Sequence, residues 1–109
     1  MPLVRIDGAQ LHDWDSFHSV FASAFGFPEF YGRNMDAWID CMTSLDAPAD
    51  GMTSVHGSKS DPVVLQLDTV NAMPKEIFDA VVECAAFVNW RRLENGEPAI
   101  LMLSFHRNG

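Results

Sequence analysis

Phe27-Pro28-Glu29-Phe30-Tyr31-Gly32-Arg33-Asn34-Met35-Asp36-Ala37-Trp38-Ile39-Asp40-Cys41-Met42-Thr43 sets a tight turn in front of a helix. Asn34 is a natural cap, because its side chain can accept from the amides that open a helix. Beyond it the apolar residues Met35, Trp38, Ile39 and Met42 recur at helical spacing and predict a core-facing stripe. Asp36, Asp40 and Thr43 fall on the opposite stripe. An acid at Asp36 is favoured by the positive end of the helix dipole. Asp40 has no such support, and the residue four further on is Ser44 rather than a lysine or arginine. A like-charge pair four residues apart costs an isolated helix about 0.2–0.5 kcal/mol. Helix stability does not ask for two uncompensated aspartates on one face, whereas a cationic partner would. Gly32 is expected to supply a positive φ, and one of Phe30 and Tyr31 is expected to point inward, the other outward.

Working outward, Leu3 to Ile6 reads as a strand stopped by Asp7-Gly8. Trp14, Phe17, Val20, Phe21, Ala24 and Phe25 predict a helix that Gly26 ends. A second strand is expected over Pro62 to Leu67. A long helix opens at Pro74 with Ile77, Phe78, Val81, Ala85 and Val88 buried. A third strand lies within Ala99 to Phe105, whose lack of alternation fits burial on both faces or a central position. Strands separated by helices argue for an α/β fold with a small parallel sheet. Between the second helix and the second strand lies an unusually long connection, 46–61, rich in Ala, Pro, Asp, Gly and Ser. No internal repeat is visible, and 109 residues suit one domain spanning 1–109.

Fifteen acidic residues against seven basic ones give a net charge of −8. Such a surface repels phosphate backbones, which argues against direct nucleic-acid binding. It would attract a basic protein, although solubility alone accounts for an acidic charge and is the reading that charge by itself favours. No secretory leader is apparent at the N-terminus, and no apolar run approaches the roughly 20 residues of a membrane span. Cys41 and Cys84 are expected as free thiols, and the expected location is cytoplasmic. The four histidines, His12, His18, His56 and His106, show no metal-ligand spacing. Cys41 is expected to be a buried, inert thiol, and a magnesium ion shared by Asp36 and Asp40 is disfavoured. No catalytic residue, metal or cofactor is therefore assigned. Glu76, Asp79 and Glu83 followed by Arg91 and Arg92 read as ordinary helix design, acids early and bases late.

The segment Pro28-Glu29-Phe30-Tyr31-Gly32, then Asn34-Met35-Asp36-Ala37, then Asp40-Cys41-Met42-Thr43, resembles the barstar family of intracellular ribonuclease inhibitors. The match is specific over some seventeen residues and looser elsewhere. The resemblance implies three parallel strands packed with helices. It also implies a function, the blocking of a small, basic, extracellular barnase-type ribonuclease, with the inhibitor a monomer when free. Asp36 and Asp40 would enter the nuclease's cationic pocket, Asp40 as the dominant contact. Phe30, Tyr31, Gly32, Asn34 and Thr43 would complete the partner-binding face. The alternative is a barstar-like module for a different basic partner, a non-nuclease toxin or a regulator. Departures from the family pattern bear on the identity of the partner more than on the fold, and a nuclease of different shape or another basic toxin would fit them. Arg33 stands where an acid is common, Trp38-Ile39 inverts a hydrophobe–tryptophan order, and Phe30 has no phenolic hydroxyl. Arg91 falls near an acidic contact, and the 46–61 loop is much longer.

Overall fold

The computed structural model describes residues 1–107. Three strands, β1 (Leu3–Asp7), β2 (Val63–Asp68) and β3 (Leu101–Phe105), form one parallel sheet in the order β1-β2-β3. Helices α1 (Trp14–Phe25) and α2 (Met35–Thr43) lie in the crossover between β1 and β2, and α3 (Lys75–Glu94) links β2 to β3. This is the α/β architecture that the alternation of strands and helices predicts. β1 pairs Leu3 with Val64 through Asp7 with Asp68, and β2 pairs Val63 with Leu101 through Leu67 with Phe105.

The third strand has neither the burial on both faces nor the central position that its lack of alternation fits. β3 lies at an edge, with Leu101 buried but Met102 and Phe105 exposed. β2 is the central strand, and Val63, Leu65 and Leu67 are fully buried. The apolar run of β3 misleads because α3 covers part of it: Phe78 packs on Phe105, with ring centroids 5.1 Å apart. Asn89 of α3 fastens the start of this strand. Its carboxamide oxygen accepts from the Ile100 and Leu101 amides, and its Nδ2 donates to the Leu101 carbonyl.

An aromatic stack organises the core under the candidate face. Phe17, Phe21 and Phe25 follow one another along α1, and Phe21 meets Trp38 of α2 edge-on at 5.7 Å. The inversion to Trp38-Ile39 has a structural consequence, since Trp38 is wholly buried. Its indole Nε1 is the one buried side-chain nitrogen or oxygen among the described residues that lacks a hydrogen-bond partner. Gly26 closes α1 with φ +70, and a Cβ there would stand 1.9 Å from Ser54 Oγ. The close approach joins α1 to the long loop, where the Ser54 amide donates to the Phe25 carbonyl at 2.8 Å. The loop is further held by the Gly57 amide donating to the Leu45 carbonyl, and it contains a 3-10 turn over Pro48–Asp50.

Candidate protein-binding face

α2 is short and capped as its sequence dictates. Asn34 sits in extended conformation, and its side-chain oxygen accepts from the Ala37 amide at 2.8 Å. Below the helix lie Trp38, Ile39, Cys41 and Met42, all buried. Burial pushes the Cys41 thiol up to about 11, helped by the neighbouring Asp40 charge, so it stays protonated at neutral pH. Above, Asp36 and Asp40 are exposed on one stripe. Thr43 continues that stripe but is half-buried, and its hydroxyl donates to the Ile39 carbonyl at 2.6 Å.

The preceding turn divides its two aromatics. Phe30 is 76% exposed while Tyr31 is 9% exposed. The Tyr31 hydroxyl lies 2.6 Å from Nδ1 of His18, itself buried on α1. Burial, aided by the Arg33 cation, holds the His18 imidazole below its ordinary pKa, and burial raises that of the Tyr31 phenol. A neutral His18 thus supports the turn from below. Nothing in the spacing of His18 and Tyr31, thirteen residues apart, signals this pair.

The positive φ in this turn belongs to Arg33, at +54, and not to Gly32. The chain must bend sharply into the extended Asn34 cap, and Arg33 takes the strained position. Its guanidinium folds back to Asp15 at 2.7 Å, with Ser19 Oγ at 3.2 Å. These exposed contacts offset part of a left-handed conformation that costs a residue with a Cβ about 1–2 kcal/mol. They also turn the charge of Arg33 toward α1. Gly32 is exposed, and a Cβ on it would come within 3.3 Å of the Asn34 amide nitrogen, which donates weakly to the Gly32 carbonyl.

Asp40 is not uncompensated. Arg91, reaching across from α3, places its guanidinium 3.2 Å from the Asp40 carboxylate, and its charge centre lies 6.0 Å from the Phe87 ring centroid. Both partners are substantially exposed, so the pair contributes at most about 1 kcal/mol. Asp40 stands between two clefts. One, of about 170 Å³, is lined by Phe30, Tyr31, Gly32, Ala37, Cys41 and Met52 among others. The other, of about 390 Å³, is shared with Thr43, Ser44, Asp50, Met52 and Arg91. Met52 and Asp50 bring the long loop to the rim of the face.

Arg92 departs from the expected reading of a dipole-complementing surface base. It is 2% exposed and holds Asp46 in a two-pronged ion pair at 2.9 and 2.8 Å. It also donates to the carbonyls of Thr43 and Pro98. The guanidinium hydrogen bonds hold the Asp46 carboxyl below its ordinary pKa. This buried hub ties the end of α2, the start of the long loop and the end of α3 into one frame.

The assembled features define a class: a small acidic α/β protein presenting two carboxylates beside an exposed aromatic and shallow clefts. The family model described as Barstar (barnase inhibitor) matches residues 1–103, and the chain belongs to the barstar family. It is also 28% identical over 91 residues to a Bacillus subtilis (strain 168) protein named "Putative ribonuclease inhibitor YrdF". That match covers 76% of this chain and all of the relative.

Proposed function

We propose that this protein inhibits a small basic ribonuclease of the barnase type by laying the α2 face over its active site. The observation that carries the reading is the exposure of Asp36 and Asp40 on a single stripe beside Phe30, in a barstar-family chain of net charge −8. Carboxylates presented this way accept short, charge-assisted hydrogen bonds from the arginines and lysines that bind substrate phosphates. The inhibitor does no chemistry; it competes with RNA for those cations. Phe30 supplies apolar contact at the rim, and Gly32 keeps the turn low. Asn34, Tyr31 and Thr43 hold the face in shape while lying within its footprint. The protein acts in the cytoplasm, as a monomer until it meets an extracellular-type nuclease before that enzyme is exported.

A second reading, a barstar-like module for another basic partner, is favoured by the Asp40–Arg91 pair and by the loop residues that rim both clefts. RNA hydrolysis by barnase at increasing inhibitor separates the two. The expected result is competitive, one-to-one inhibition that Asp40→Ala weakens by about ten- to hundredfold, the worth of a hydrogen bond to a charged group. Equal inhibition by wild type and Asp40→Ala, or unimpeded hydrolysis, would overturn the barnase-type reading.

A further inference from the structure

We propose that Arg91 is a partner-selecting residue that covers Asp40 and disfavours a cationic ligand that brings no acid to meet it. This rests on the reading of α2 as the binding face. The side chain comes from a different helix, α3, and lies where a ligand cation must arrive, 3.2 Å from the Asp40 carboxylate. Phe87, with Trp90 beside it at 5.7 Å between ring centroids, gives the guanidinium an aromatic rest. Phe87 and Trp90 are themselves exposed. Asp40 and Arg91 line one cleft together with Asp50 of the long loop. Asp36, one turn earlier on α2, has no ion pair among the described residues.

Two consequences follow from the charges. A cation approaching Asp40 meets the like charge of Arg91, and like charges brought together at an interface are costly. An approaching surface that offers a carboxylate opposite Arg91, next to a cation for Asp40, exchanges one ion pair for two. Arg91 therefore favours a partner of mixed charge over a purely cationic one. It acts both on Asp40 and directly on the partner, as a specificity-determining residue. The internal pair is exposed and weak, so it can be displaced without disturbing the fold.

The test measures inhibition constants against barnase for wild type, Arg91→Gln, Arg91→Glu and Arg91→Lys, each with and without Asp40→Ala, beside thermal unfolding of every variant. We expect Arg91→Gln and Arg91→Glu to tighten inhibition by about tenfold or more, and Arg91→Lys to behave as wild type. The gain should be several-fold smaller in the Asp40→Ala background, where only general attraction to a basic nuclease remains, while the unfolding midpoints of the Arg91 variants stay near that of wild type. Inhibition by wild type that Arg91→Gln and Arg91→Glu leave unchanged or weaken overturns the role of Arg91 and leaves the inhibitor reading standing. Inhibition by Arg91→Gln where wild type has none supports the role of Arg91 and directs the search to a nuclease bearing an acid at that place. No inhibition by any variant overturns both for this class of nuclease.

Discussion

At the residue scale, the two adjacent arginines near the end of α3 differ in their surroundings: Arg91 meets Asp40 at the surface, and Arg92 is buried against Asp46. Nothing local distinguishes them, because the partners lie some fifty residues away in the chain and become visible only when α3 packs on α2. Removing one half of a buried ion pair strands the other charge. Asp46→Ala is therefore expected to destabilise the protein by about 3 kcal/mol, measured by urea unfolding. The paired replacement Asp46→Leu with Arg92→Met should cost less than Asp46→Ala alone. A loss under about 1 kcal/mol for Asp46→Ala would show that Glu97, 3.4 Å from Arg92, and the two carbonyls suffice.

At the element scale, α1, α2 and α3 were legible because apolar spacing and capping residues agree, and Asn34, Pro74 and Gly26 all mark helix ends. The division of Phe30 from Tyr31 was legible too. The order of strands was not, since a covered edge strand and a central one carry similar apolar runs. The positive φ was assigned to Gly32 on propensity, but it falls on Arg33, whose guanidinium reaches back to Asp15 of α1. The turn between α1 and α2 also makes a pH prediction. His18 faces Tyr31, Trp14 and Phe17, with Arg33 and Asp15 as the nearby charges. Its imidazole has a depressed pKa in the fold, so the unfolded chain takes up its proton first as pH falls. The stability that neutral His18 supports is full above the unfolded pKa of about 6.5 and is lost as pH drops through that value toward the lower folded one. Between pH 7.5 and 5.5, wild type should lose more unfolding free energy than His18→Gln. Parallel pH profiles for the two proteins would contradict the account.

At the scale of the whole molecule, charge and fold act together. The sheet and the Arg92–Asp46 hub hold α2 in place, and on the proposed reading the net charge of −8 would speed the approach of a basic partner. The long loop, whose role the sequence left open, is pinned at Ser54 and Gly57 and adds Asp50 and Met52 to the clefts beside Asp40. The central claim is that this face binds a basic ribonuclease through its two aspartates. Calorimetric titration of barnase with wild type, Asp36→Ala and Asp40→Ala, at low and at physiological salt, tests it most directly. The account predicts one-to-one binding that weakens with salt and with either substitution, most with Asp40→Ala. Binding indifferent to both substitutions and to salt, or no heat of association at all, would contradict it.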